Sequence, residues 1–191
     1  TNRISFKFDG KTYFGFKGDT LASALLANGI HLVGRSFKYH RPRGIMTCGS
    51  EEPNAICQIN GKTAFTEPNV RATEIELYEG LEADSQNCWP NVNFDIGGIN
   101  NFISPFIPAG FYYKTFMWPK SFWKNIYEPL IRKSAGLGKS PTHPDPDIYD
   151  HKHIHCDVLI IGGGISGILA AKVAAKNNLD TILIDDKNTL G

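Results

Sequence analysis

The run Asp157-Val-Leu-Ile-Ile-Gly-Gly-Gly-Ile-Ser-Gly-Ile-Leu-Ala-Ala171 constrains this chain more than any other stretch. Val158 to Ile161 is continuously apolar, as a parallel strand covered on both faces requires, and Ile165 to Asn177 is alanine-rich and helix-favouring. The turn between them carries Gly162, Gly163, Gly164, Ser166 and Gly167, which fits Gly-x-Gly-x-x-Gly. Asn177-Asn178 ends the helix, and Thr181 to Ile184 gives a second buried strand that stops at Asp185, Asp186 and Lys187. Asp185 falls eighteen residues beyond Gly167, close to the roughly 20 at which a carboxylate meets a ribose hydroxyl.

Strand, glycines, helix and acid in this register predict a dinucleotide-binding βαβ unit. The free amides at the helix start face the turn and can receive phosphate oxygens without a lysine. An aspartate at the second strand's end repels a 2′-phosphate, so the reading favours NAD or FAD over NADP. A doubly wound domain needs further parallel strands, and the sequence begins with Thr1, so the expectation is the N-terminal portion of a longer, processed or truncated polypeptide. The Rossmann-type domain would start at residue 156 and be incomplete at 191.

A net charge of +1 gives no global field for nucleic acid or anionic membrane, and no apolar stretch reaches membrane-span length. The reading is a soluble, cytoplasmic protein with no nucleic-acid or membrane partner. Four cysteines, Cys48, Cys57, Cys88 and Cys156, are too few and scattered for a disulfide framework and read as buried structural thiols.

Residues 1–80 have mostly β character. Ile4, Phe6 and Phe8 alternate with polar residues, Asp9-Gly10 marks a tight turn, and Thr12, Phe14 and Phe16 resume the alternation. Gly18-Asp19-Thr20 caps a helix over Leu21 to Asn28, which buries Leu21, Ala24 and Leu25 and closes at Gly29. A strand is expected over Ile30 to Val33, a hairpin over Ala55 to Phe65 turning at Asn60-Gly61, and another strand over Ala72 to Tyr78. Hairpin, helix and strand in this order suggest a ferredoxin-like β-grasp. A two-iron ferredoxin holds its cluster with Cys-x4-Cys-x2-Cys and a distant fourth cysteine, a pattern missing from this sequence, so the domain reads as clusterless.

Arg35, Lys38, His40, Arg41 and Arg43, interleaved with Phe37 and Tyr39, form a basic patch that reads as a solvated loop or subunit contact, with an anion contact second. Residues 81–155 read as an extended wrapping segment and linker. Trp89, Phe94, Phe102, Phe106, Phe111, Tyr112, Tyr113, Phe116, Trp118, Phe122, Trp123 and Tyr127 crowd it, and so much apolar area calls for packing within the chain or against a partner. Gly136 to Tyr149, with three prolines, is the linker proper. His151, His153 and His155 alternate as on an exposed strand edge; no carboxylate completes a metal set, and none is expected.

Phe37-Lys-Tyr-His-Arg-Pro-Arg-Gly44, Ser104-Pro-Phe-Ile-Pro-Ala-Gly-Phe-Tyr-Tyr-Lys-Thr-Phe-Met-Trp-Pro119 and Cys156-Asp-Val-Leu-Ile-Ile-Gly162, behind a clusterless ferredoxin-like start, resemble the alpha subunits of heterotetrameric sarcosine oxidases. The resemblance covers essentially the whole chain. It implies a flavoenzyme with beta, gamma and delta partners that oxidises sarcosine to glycine, passes the one-carbon unit to tetrahydrofolate or releases formaldehyde, and gives hydrogen peroxide. FAD and FMN would belong to the assembled complex, and folate to a later domain outside these residues. NAD contacts would fall on the turn at Ser166 and on Asp185, Asp186 and Lys187, with no catalytic residue here and the fragment inactive alone. The alternatives are an FAD-binding subunit of a related amine dehydrogenase, since the same turn serves either cofactor, and a scaffolding subunit with a structural nucleotide.

Overall fold

The computed structural model describes residues 2–61, 66–106, 110, 116–187 and 189–191. The chain divides into two units, Thr1–Pro146 and Asp147–Gly191. In the first, strands β1 (Arg3–Phe8) and β2 (Lys11–Phe16) form the expected hairpin, joined by Asp9 and Gly10 at φ 49° and 75°. Both turn residues need positive φ because that hand of turn matches the strand twist. The alternation on β2 has the opposite phase to the one expected. Phe14 and Phe16 are about half exposed, while Tyr13 and Gly15 turn inward opposite Phe6 and Ile4. Leu77 lies against Gly15 and takes the room a larger inward residue would need, and the Arg3 guanidinium covers the Phe14 ring at 3.8 Å.

Helix α1 (Leu21–Ala27) starts at Thr20, whose hydroxyl accepts from the Ser23 N–H at 3.1 Å while the Ser23 hydroxyl accepts from the Thr20 N–H at 3.0 Å. Leu21, Ala24 and Leu25 are fully buried, as their spacing predicts. The next orphan donors of the helix end find backbone acceptors: Leu21 N–H donates to Ile75 and Ala22 N–H to Ala72. That use of carbonyls explains why Ala72 to Tyr78 is not the strand expected there. The segment turns at residues 72–74 and receives the helix. Ile30 to Val33 is likewise not a strand; Ile30 N–H closes on Leu25 O at the helix exit, and pairing begins only at β3 (Gly34–Arg35) with β4 (Pro42–Arg43).

Strand β5 (Ile56–Ile59) pairs with β6 (Glu67–Arg71), downstream of the Lys62–Phe65 partner expected, which lies outside the described residues. The five-stranded sheet has the order β2-β1-β7-β5-β6, with β7 (Leu81–Ser85) parallel to β1 and antiparallel to β5. The sheet's central strand begins at residue 81, just past the boundary expected at residue 80. Phe6, Phe8, Leu21, Leu25, Val33, Cys57 and Leu81 fill the core between sheet and helix.

Beyond β7 the chain is not simply extended. It forms a 3-10 turn at Ile96–Gly98, α2 (Ile99–Phe102), another 3-10 turn at Ser104–Phe106, a π-turn at Trp123–Tyr127 and α3 (Glu128–Ser134). Tyr127 gathers Phe116 and Phe122 at ring distances of 5.1 and 6.1 Å, whereas Trp89, Phe94, Phe102, Phe106 and Trp118 remain largely exposed on this chain. Phe111, Tyr112 and Tyr113 lie outside the described residues. The start of the expected linker is docked: Gln58 exchanges hydrogen bonds with the Lys139 backbone (2.7 and 3.2 Å), and Gln86 reaches the Gly136 carbonyl at 3.4 Å. Both glutamines are buried; Gln58 also donates to the Ile59 carbonyl and Gln86 pairs twice with Asn69, so the strap completes their hydrogen bonding.

In the second unit β8 (Val158–Ile161) and β9 (Thr181–Ile184) are parallel, connected by α4 (Ile165–Lys176). The βαβ unit is as expected. Residues 151–156 form no strand, so the three alternating histidines are exposed on an unpaired stretch.

Leu25→Ala removes a fully buried side chain between α1 and the sheet, and should lower stability of the first unit by about 2–5 kcal/mol in chemical denaturation of the full-length protein.

Candidate functional site

The glycine turn joins β8 to α4, and its glycines differ in what they require. Gly162 sits at φ 101°, which an L side chain rarely adopts. At Gly167 a Cβ would lie 1.9 Å from the Gly162 carbonyl oxygen, so the helix can approach the strand only without one. Gly164 needs neither: its φ of −70° suits any residue, and a Cβ there would meet nothing within 4 Å. Neither backbone conformation nor packing within the described residues requires glycine at 164.

Gly164 is also the N-cap of α4 and makes no side-chain cap, so the N-cap itself gives the first-turn amides no acceptor. Together with the dipole of a twelve-residue helix they favour a negatively charged group at this end. Ser166 lies exposed on that first turn.

The Asp185 carboxylate closes the site from β9. It accepts from the Gly163 N–H and, at 2.9 Å, from the Lys187 N–H, and these bonds hold its pKa below the usual aspartate range. Gly163 is buried, and its carbonyl accepts from Gly191 N–H at 2.9 Å. Asp186 and Lys187 follow as exposed residues. The structure thus brings Asp185 onto the glycine turn and the Lys187 backbone, and leaves Ser166, Asp186 and the Lys187 side chain facing outward. Glycine turn, uncapped helix and carboxylate together suit the pyrophosphate and ribose of a dinucleotide.

The basic patch is engaged within the fold. Arg35 spends its guanidinium on the carbonyls of Val92 (2.8 Å), His40 (3.1 Å) and Asn93 (3.4 Å), and His40 Nδ1 meets the buried Asp95 carboxylate at 2.6 Å. Arg41 donates to Asn101 and stacks on Tyr39. Arg35 and His40 therefore anchor the loop after β7 rather than present charge to a ligand. Sequence reasoning missed Asp95, whose acceptors also take the N–H groups of Trp89 and Gly97.

The thiols are not uniformly buried: Cys57 is, Cys48 is exposed, and Cys88 and Cys156 are intermediate. Burial, with Asp9 and Asp84 nearby, pushes the Cys57 thiol up to about 12. Cys88 is raised too, chiefly by burial, and lies 3.4 Å from the Ser85 hydroxyl.

Residues 1–88 match a family described as a 2Fe-2S iron-sulfur cluster binding domain, and residues 157–191 match FAD dependent oxidoreductases. The sarcosine oxidase subunit alpha of Rhizobium meliloti (strain 1021) is 57% identical over 98% of this chain and 19% of that protein. The namesake subunits from Corynebacterium sp. strains U-96 and P-1 are 29% and 30% identical over 98% and 96% of the chain, and 15% and 14% of their own length. Among solved structures, L-proline dehydrogenase from P. horikoshii aligns with the whole chain and 26% of its own, at TM-score 0.48 and 20% identity.

The donor set does not fit a two-iron cluster. Such a cluster takes four thiolates, and the matched stretch holds Cys48, Cys57 and Cys88, one exposed, one buried in the core on β5 and one beside Ser85. No three potential ligands are grouped to hold a metal ion among the described residues. No helix among them is long and apolar enough to cross a membrane.

Gly167→Ala should prevent the close approach of α4 to β8, with residues 157–191 becoming protease-sensitive in the full-length protein while the first unit stays resistant. Because Asp185 is more acidic folded than unfolded, its bonds stabilise the turn above the usual aspartate pKa and are lost as pH falls through the lower folded value. Amide exchange at Gly163 and Lys187, corrected for intrinsic rates, should rise only in that acid window. Over nearly its whole length, the chain is a homologue of a segment making up a fifth or less of sarcosine oxidase alpha subunits.

Proposed function

We propose that this chain is the N-terminal portion of the alpha subunit of a heterotetrameric sarcosine oxidase, and that its glycine turn binds NAD. The observation that carries the reading is Gly164, a glycine demanded by neither backbone nor packing, at an uncapped helix start and beside an Asp185 already tied to the turn. The pyrophosphate lies on the first-turn amides at Gly164 and Ser166. Asp185 takes the ribose hydroxyls, with Asp186 and Lys187 at the adenosine end.

The remaining chemistry follows from the resemblance. Sarcosine is demethylated to glycine on another subunit, using FAD and FMN of the complex, the one-carbon unit passes to tetrahydrofolate or leaves as formaldehyde, and oxygen becomes hydrogen peroxide. Beta, gamma and delta subunits complete the assembly, in the cytoplasm, and this segment alone is inactive. The exposed Trp89, Phe94, Phe102, Phe106 and Trp118 support subunit contact, because so much aromatic surface is rarely left to water. A second reading, FAD on the same turn, is favoured by the likeness of residues 157–191 to FAD dependent oxidoreductases.

The test is to purify the complete complex, denature it and identify the released nucleotides by mass, for the natural protein and for Gly164→Val. The valine should fold but fill the phosphate space, so one equivalent of NAD disappears while the other cofactors stay. Loss of FAD in its place selects the second reading. Unchanged nucleotide content defeats both.

A further inference from the structure

Between β4 and β5 the chain folds around one buried carboxylate. Glu52 is 1% exposed, and among the described residues no basic side chain meets its carboxylate. One oxygen accepts from Met46 N–H (2.8 Å), Thr47 N–H (2.6 Å) and the Thr47 hydroxyl (3.1 Å); the other accepts from Asn54 N–H (2.8 Å) and Ala55 N–H (3.3 Å). The loop is then pinned from outside, Arg71 of β6 donating to the Glu52 carbonyl at 3.0 Å and Thr73 to the Gly49 carbonyl at 2.8 Å. Burial by itself would make this acid weaker, yet the backbone donors hold it below the usual glutamate range, so the buried group is an anion.

The spacing of the residues involved is that of a cluster loop. Thr47, Glu52 and Ala55 are separated by four and two residues, the intervals of Cys-x4-Cys-x2-Cys, and they occur in the stretch that matches a cluster-binding family. The carboxylate at the middle position bonds to both of the others, Thr47 through amide and hydroxyl and Ala55 through its amide. Amides converging on an internal anion are also how a peptide loop cradles an iron–sulfur centre. We infer that Glu52 replaces the cluster as the internal anion around which this loop folds, leaving the cradle in place with an oxygen anion from the chain in it. The first unit then serves as a scaffold with no electron-carrying centre of its own in that loop.

The test is deuterium uptake, read peptide by peptide in the full-length protein. Glu52→Gln keeps the shape but sets an amide NH2 against backbone donors, and should speed exchange across residues 46–55 by about tenfold or more while residues 3–16 keep natural rates. If the glutamine protein does not accumulate, Thr47→Val deletes a single donor and should speed the same stretch by roughly threefold. Unchanged exchange over 46–55 in the variant measured, or an equal rise over 3–16, overturns the inference, since the carboxylate would then be an ordinary contributor to global stability.

Discussion

The backbone ladder of Leu81–Ser85 is the constraint on which the first unit depends. This strand lies between the hairpin of β1 and β2 and the pair β5 and β6, parallel to one and antiparallel to the other, and joins them into one sheet. Leu81 and Ala83 are buried on the face that packs under α1. Residues at its end are recruited for other tasks: Ser85 N–H and hydroxyl bond to Asp9 in the first turn, and Gln86 bonds to Asn69 and holds Gly136. First turn, central strand and late strap are thereby fixed to one another.

The elements legible in the sequence were those whose residues state their own partners. Asp9-Gly10 specifies its turn, Thr20 with Ser23 caps its helix, and the spacing of Leu21, Ala24 and Leu25 declares one buried face. The glycine turn was legible for the same reason: strand, glycines, helix and acid occur within 30 consecutive residues or so, at intervals fixed by local geometry. Leu-Glu-Ala-Asp-Ser was not legible, because its strand character comes from neighbours on both sides rather than from β propensity. Ala72 to Tyr78 misled for the converse reason. Its apolar alternation suits a strand, but the helix start needs its carbonyls, and that demand is set by a segment fifty residues earlier.

Polar residues inside the first unit were the least visible. Gln58, Gln86, Glu52 and Asp95 each look like surface residues by composition, and each is buried because hydrogen-bond partners meet it there. The long-range partners of the glutamines and the aspartate are 17 to 81 positions away: Gln58 meets Lys139 at 81, Gln86 meets Asn69 at 17 and Gly136 at 50, and Asp95 meets His40 at 55. Glu52 differs in that its partners lie within six positions, so a sequence signal existed: the four- and two-residue intervals to Thr47 and Ala55, hidden by looking only for cysteine.

The difference between an acid and a mineral at the heart of a loop reaches beyond stability. An iron–sulfur centre has to be manufactured and delivered, and can be dismantled by oxidants, so a polypeptide that relies on one matures only as fast as metal arrives. A glutamate comes off the ribosome with the rest of the chain. With Glu52 as the internal anion inferred for its loop, that loop matures by translation alone, independent of iron supply.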